Sequence, residues 1–389
     1  MTERKHAILS ASGAYRWLAC PPSARLEEQF AETTSTYAEE GTLAHGIAEQ
    51  KLRFLLKQIS AQDYAQALQI FEKNEFYSAS MLDYIESYTS IVMEKVNEAK
   101  ARSADAVVLL EQKLDFSDWV PEGFGTGDVV IISDGVLEII DLKYGKGVPV
   151  SAEDNAQMRL YALGALATFD SLYDIQTVRM TVVQPRLDSV SSDEITAEML
   201  YWWADTELIK RAQLAWEGKG EFQAGEHCRF CRARFNCRAR AEANLELAKM
   251  EFKKPELLTD EEISEVLKQA DELRAWVSDV FDYALVQARD HGKKFKGWKL
   301  VEGRSVRQYA DEGKVAETLL KAGYKEEQIY EKKLWGITAM EKLLGKTLFN
   351  ELLGGLVIKP PGKPTLVPEA DKRPEINSIA AAMADFQNN

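Results

Sequence analysis

The stretch that decides the fold is Gly127-Asp128-Val-Val-Ile-Ile-Ser-Asp134-Gly135-Val-Leu-Glu-Ile-Ile-Asp141-Leu-Lys143. Two aliphatic, β-branched runs flank an Asp-Gly pair, the strongest short-range signature of a two-residue β-hairpin turn. With Asp134 and Gly135 as the turn, Ser133 pairs with Val136, Ile132 with Leu137 and Asp128 with Asp141. Alternation along a strand then puts Asp141 and Lys143 on the face that carries Val130, Ile132, Leu137 and Ile139. The register gathers two carboxylates and one ammonium at the open end of an apolar ribbon.

Directly opposed side chains in a sheet have Cβ atoms roughly 4.5–5.5 Å apart, and like charges there repel. Two carboxylates so placed need a shared proton or a cation between them. A hard divalent ion with oxygen ligands, Mg²⁺ or Mn²⁺, meets that need. Lys143 is then expected beside the ion, where its ammonium orients a water or steadies developing negative charge. That arrangement suits hydrolysis of a phosphodiester. The plainer reading is a pair of strands that happen to end in Asp, and a turn one residue longer would break the pairing.

Downstream, Lys143 is followed by the turn Tyr144-Gly145-Lys146-Gly147, suited to lie against a phosphate backbone. A helix capped by Ser151, with Asp154 three residues on, is expected next. It carries Gln157 and Tyr161 one turn apart. Asp128, Asp141-Leu-Lys143 and Gln157-x-x-x-Tyr161, in that order, resemble the PD-(D/E)xK nuclease superfamily, in particular its RecB-like and Cas4-like branch. Asp141 stands where that family more commonly has Glu.

The resemblance implies an α/β fold with a restriction-endonuclease-like mixed sheet flanked by helices. It also implies roles for residues that spacing alone leaves undecided. Tyr37-Ala-Glu-Glu40-Gly41-Thr-Leu-Ala-His45 opens a helix expected to run to about Gln58, with His45, Ala48 and Leu52 on one stripe. A lone His on an apolar stripe reads first as a satisfied core residue. Because Gly41-Thr-Leu-Ala-His45 is similar to the first motif of RecB-like nucleases, His45 is implied as a metal ligand, with the Leu142 carbonyl completing the shell. Gln157 and Tyr161 are implied to position substrate or the metal's surroundings. Glu40 is placed near the helix start by the dipole. Glu111, in an expected strand Val107–Leu114, is left as structural or supporting.

Three of the four cysteines form Cys228-x-x-Cys231-x5-Cys237, and Cys20 lies 208 positions before Cys228. A disulfide framework is not expected in a cytosolic protein of this size. Spacing leaves a structural Zn²⁺ and an iron–sulfur cluster equal, since both accept four thiolates. One N-terminal cysteine joined to a later Cys-x2-Cys-x5-Cys is similar to the cluster arrangement of Cas4-like and AddB-like nucleases, which implies a [4Fe–4S] cluster acting as a staple. Around these cysteines lie Arg229, Arg232, Arg234, Arg238 and Arg240 with no acidic residue among them. They read as a solvated basic segment or, beside the cysteines, as a DNA contact together with Lys146.

The 389 residues suffice for a sizeable core and more than one domain, and the net charge of −14 argues against non-specific nucleic-acid binding over the whole surface. No apolar run reaches the length of a membrane span, and the charged start Met1-Thr-Glu-Arg-Lys5 is not expected to be a signal peptide. The expected compartment is the cytoplasm, the host's if the chain is phage-encoded, with no membrane partner.

Ser12 is expected to cap a short helix stopped by Pro21 and Pro22, amphipathic helix is expected across 61–102, and a strand at Val178–Val182 ends at Pro185. A long helix should follow from about Thr196 to Glu217. Thr259-Asp-Glu-Glu262 reads as a capping box opening a helix to about Asp290. A short β-pair from Trp298 to Tyr309 and helices near 313–322 and 336–353 complete the reading. The expected division is a nuclease domain at 1–250, a mainly helical domain at 251–358 and a Pro-rich tail at 359–389.

These readings converge on a Mg²⁺- or Mn²⁺-dependent DNA nuclease. The resemblance implies an exonuclease on linear ends in phage replication or recombination, with a replication or recombination protein as possible partner of the C-terminal region. The alternative is a DNA-end-binding or recruitment module that keeps the fold with little turnover. A third reading is a zinc-stapled α/β protein with no nucleic-acid role.

Overall fold

A computed structural model describes residues 7–31, 35–248, 259–301, 311–330 and 336–357. Ahead of the sheet run α1 (Ala14–Ala19), α2 (Ser23–Glu27), α3 (Thr36–Leu55), α4 (Ala61–Phe71) and α5 (Ala79–Arg102). The sheet is built from β1 (Val107–Asp115), β2 (Phe124–Ser133), β3 (Val136–Leu142), β4 (Thr177–Gln184) and β5 (Ser189–Thr196), with α6 (Ala156–Tyr173) between β3 and β4. The strands lie side by side in chain order. All neighbours are antiparallel except β3 and β4, which the α6 crossover makes parallel. The fold is a mixed five-stranded sheet flanked by helices.

The hairpin forms as its turn chemistry requires. Asp134 (φ 50°) and Gly135 (φ 73°) both take the left-handed backbone of a two-residue turn. Ser133 pairs with Val136, Ile132 with Leu137 and Val129 with Ile140. Val130, Ile132, Leu137 and Ile139 pack with Met180 and Val182 under Met158 and Leu163 of α6. Val129, Ile131, Ile140 and Leu142 pack on the opposite face with Ile47 and Leu52 of α3 and Ile85, Tyr88 and Val92 of α5. Both faces of the sheet are covered.

One strand was not legible in the sequence. β5 joins β4 at the sheet edge, Val178 opposite Ile195 and Thr181 opposite Ser192. Its residues Ser189-Val-Ser-Ser-Asp-Glu-Ile-Thr196 alternate between half-buried and exposed. An edge strand with one wet face needs no aliphatic run. The expected helix after Thr196 is present but interrupted: α7 (Ala197–Trp203) passes through a π-turn at Ala204–Leu208 into α8 (Ile209–Glu217).

Two caps differ from expectation. The side chain of Ser10, rather than Ser12, accepts from Gly13 N at the first short turn. Asn155, four residues after Ser151, caps α6 by accepting from Gln157 N and Met158 N. Asn is as good a cap as Ser, and the one adjacent to the first helical turn prevails. The Thr259–Glu262 box forms in both directions and opens α10 (Asp260–His291), which follows α9 (Arg238–Ala248).

The chain divides into two compact units, Met1–Gln287 and Ala288–Asn389. The boundary expected at 250/251 falls outside the described residues, as do Val306–Tyr309 of the expected β-pair and the tail at 359–389. Trp298–Val301 carry no strand. The second unit contains α11 (Glu312–Lys321), α12 (Glu326–Ile329), α13 (Ile337–Leu344) and α14 (Lys346–Leu353). Among the described residues no helix is long and apolar enough to cross a membrane.

Candidate active site

The site begins with an inversion in the sheet. In β1, Val107 and Leu109 pack on the α6 side and Leu110 on the α3/α5 side, yet Leu114 is again on the α6 side. Regular alternation would put Leu114 on the other face. Between them Glu111 adopts φ 49°, a left-handed backbone uncommon for a residue with a long side chain. The register does not slip, since Leu110 pairs with Val129 and Gln112 with Gly127, so Glu111 stands opposite Asp128.

β2 turns over at the same level. Val130 and Ile132 face the α6 side, but so do the Cβ positions of Gly125, against Tyr161, and of Gly127, against Leu114. A Cβ on Gly127 would come within 2.9 Å of Leu114 Cδ1, and one on Gly125 within 2.7 Å of Tyr161 Cε1, so neither position admits a side chain without displacing its neighbour. Asp128 therefore sits where the strand changes face. Its Oδ1 lies 3.2 Å from His45 Nδ1, and its Oδ2 accepts from Leu142 N at 2.7 Å, where the β2–β3 ladder ends.

α3 delivers His45 to this point. Ser35 caps the helix, and Leu43, Ala44, Ile47, Ala48 and Leu52 anchor it to the sheet. Glu40 is held by Arg186 at 2.9 Å, an ion pair that a helix-dipole argument does not foresee. His45, Glu111 and Asp128 each offer one ligand atom, and these atoms all lie within 4.8 Å of one another. Leu142 and Tyr88 line the same small cavity.

Asp141 leads away on the α6 side. It is buried, with Oδ1 accepting from Gln157 Nε2 at 3.2 Å. Its Oδ2 is 2.9 Å from Lys143 Nζ, an ion pair whose geometry is not that of a hydrogen bond. Lys143 Nζ donates to Gln157 Oε1 at 2.9 Å, and Gln157 Nε2 reaches Tyr161 Oη at 3.2 Å. Gln157 thus ties Asp141, Lys143 and Tyr161 into one hydrogen-bonded chain. The sequence register expected Asp128 and Asp141 to project together; Asp128 instead turns to His45 at the face change, while Asp141 turns to Lys143 and Gln157.

The electrostatics match a crowded anionic site. Burial opposes a charged His45, but Asp128, its hydrogen bond, Asp141 and Glu111 together push the imidazole up to about 9. Burial and then Asp128 push Glu111 up to about 7. Burial raises Asp141, with Lys143 opposing and Asp128 adding to the rise. Burial and the nearby Asp141 hold the Tyr161 phenol well above its usual range.

The second cluster of candidate residues lies elsewhere in the same unit. Cys20, Cys228, Cys231 and Cys237 line one cavity with Arg16 and His227, and all four thiols are free. Burial and then Glu27 push Cys231 up to about 12, and burial raises Cys228.

The neighbouring arginines differ from a displayed basic patch. Arg234 pairs with Asp279 at 3.0 Å, and Arg240, 1% exposed, pairs with Glu272 and Asp279 at 2.6 Å each. Arg232 donates to the Phe30 carbonyl, and its backbone N–H to Glu27. Acidic residues of α10, distant in sequence, neutralise Arg234 and Arg240. Arg229 and Lys146 are exposed. Glu111, Tyr88 and His227 are site residues that the sequence reading did not assign; only His227, next to Cys228, had a local signal.

The chain belongs to the family described as "Protein of unknown function (DUF2800)", whose model matches residues 6–374. Among solved structures, "Crystal structure of SSO0001" is similar over 61% of this chain and 89% of that one, at 13% identity and a TM-score of 0.25. At that distance the likeness carries no weight for fold or site.

Proposed function

We propose that this member of the DUF2800 family is a Mg²⁺- or Mn²⁺-dependent DNA nuclease, resembling the RecB-like PD-(D/E)xK enzymes, and acts as an exonuclease on linear ends in phage replication or recombination. The observation that carries the reading is the convergence of His45, Glu111 and Asp128, from α3, β1 and β2, on ligand atoms within 4.8 Å of one another, beside the Asp141–Lys143–Gln157–Tyr161 chain.

The residues fit a hard divalent cation. Two carboxylates and an imidazole converge, burial disfavours leaving them charged without a counter-ion, and Asp141 and the Leu142 carbonyl are the further donors that the resemblance implies. Such a cation, when bound, activates a water and screens the scissile phosphate. Lys143 holds its ammonium beside Asp141, where it meets negative charge developing on the phosphate. Gln157 fixes the Lys143 ammonium through its Oε1, and Tyr161 steadies Gln157 in turn. Lys146, exposed on the loop after β3, is a candidate contact for a phosphate backbone. Arg229 remains a candidate contact; Arg234 is already bound to Asp279.

The four cysteines support a [4Fe–4S] cluster over zinc. They share one cavity, and one N-terminal cysteine joined to a later Cys-x2-Cys-x5-Cys is the arrangement that resembles the Cas4-like and AddB-like cluster. The cluster would join α1 to the segment after α8 and hold the nuclease unit closed.

The test is digestion of linear single- and double-stranded DNA with Mg²⁺ or Mn²⁺, with closed circles as control. Cation-dependent loss of the linear substrates supports the reading. Binding of ends without cleavage would replace it with a recruitment module.

A further inference from the structure

Tyr88 lies on α5, 1% exposed, and its hydroxyl has no hydrogen-bond partner among the described residues. A buried phenol normally finds one, because leaving a polar group desolvated and unpaired is unfavourable. The ring is fixed by the core between α3, α5 and the sheet. Tyr88 also lines the cavity shared by His45, Glu111, Asp128 and Leu142, which has room for about one water molecule. Burial first, and then Asp128, Asp141 and Glu111, disfavour ionisation of the hydroxyl. It is therefore a neutral donor on a residue that lines the same cavity as His45, Glu111 and Asp128.

We propose that Tyr88 is a positioning residue whose hydroxyl donates a hydrogen bond to a water in the shell of the cation held by His45, Glu111 and Asp128. This rests on the cation reading above and adds a residue from a helix that no recognisable motif covers. The water completes the set of partners that Tyr88 lacks in the protein, and the hydroxyl restricts that water to one orientation. The face change at Glu111 and Asp128 is what turns both carboxylates toward the α5 side, where Tyr88 can act.

The test is Tyr88→Phe in the full-length protein, which removes one oxygen and keeps the ring. Mn²⁺ alone is titrated by isothermal calorimetry and by electron paramagnetic resonance, with thermal unfolding followed on cation-free samples. The expected result is Mn²⁺ affinity lowered roughly three- to tenfold, the loss of one good hydrogen bond. Cation-free stability should be equal or higher, because the variant no longer buries an unpaired hydroxyl. If the parent binds Mn²⁺ and Tyr88→Phe binds it equally well, the role of Tyr88 is overturned and the cation seat stands. If the parent binds no Mn²⁺, the cation seat is overturned and Tyr88 with it.

Discussion

Glu111 stands opposite Asp128 across β1 and β2, at the level where both strands turn their side chains over without a slip in register. A left-handed backbone at a Glu inside a strand is a strained arrangement, and such strain persists where the surrounding structure imposes it. Here it brings a third ligating group to His45 and Asp128. Glu111→Gln keeps the size and removes the charge. It is expected to weaken Mn²⁺ binding roughly tenfold or more with the fold intact. Equal Mn²⁺ affinity in calorimetry would remove Glu111 from the site.

Cation binding should depend on pH with a defined sign. Without the cation, His45 holds its proton up to about 9 and Glu111 up to about 7. Each ligand must lose its proton to bind, so protons compete with the cation below those values. Apparent Mn²⁺ affinity therefore rises as pH climbs through about 7 towards about 9, and proton release accompanies binding. Titrations in buffers of different ionisation enthalpy would count the protons. A flat profile would contradict the assignment of His45 and Glu111 as ligands.

The cysteine cavity predicts iron. Anaerobically purified protein is expected to carry about one four-iron cluster per chain, with a broad visible absorption. Cys20→Ser should lower iron content and thermal stability together, since the proposed cluster would join Cys20, at the end of α1, to the Cys228–Cys237 segment that lines the same cavity. Stoichiometric zinc without iron would contradict the cluster.

Arg240 should matter for folding rather than for DNA. Its side chain is buried against Glu272 and Asp279. Arg240→Ala leaves Glu272 unpaired and Asp279 with Arg234 alone, and is expected to cost about 3 kcal/mol, near the low end for a buried pair because Asp279 keeps a partner and Glu272 can turn to water. Denaturant unfolding measures this. A loss of DNA affinity with unchanged stability would return the residue to the nucleic-acid interface.

The hairpin was legible because its turn residues and its β-branched alternation specify the same register, and Gln157 and Tyr161 because helical spacing alone puts them one turn apart. β5 was not legible: Ser189–Thr196 pairs at an edge and half its side chains meet water. Glu111 was left as structural or supporting because nothing local marks a Glu that will take positive φ. Tyr88 reads from sequence as one more aromatic on an amphipathic helix, and only the fold shows that its hydroxyl lacks a partner beside His45 and Asp128. The pairing of Arg234 and Arg240 was not legible because their counter-charge on α10, Asp279, lies about forty residues further along.

The most direct test of the nuclease reading is the rate of nucleotide release from linear DNA by the parent and by Lys143→Ala at equal Mn²⁺. Lys143 contacts Asp141 and Gln157 but is not among the converging His45, Glu111 and Asp128 ligands, so its loss should spare cation binding. The predicted result is cation-dependent cleavage by the parent, lowered about a hundredfold or more in the variant, with Mn²⁺ affinity unchanged and a lower thermal midpoint because buried Asp141 loses its ammonium partner. Cleavage by Lys143→Ala at the parental rate, or no cation-dependent cleavage by the parent, would contradict it.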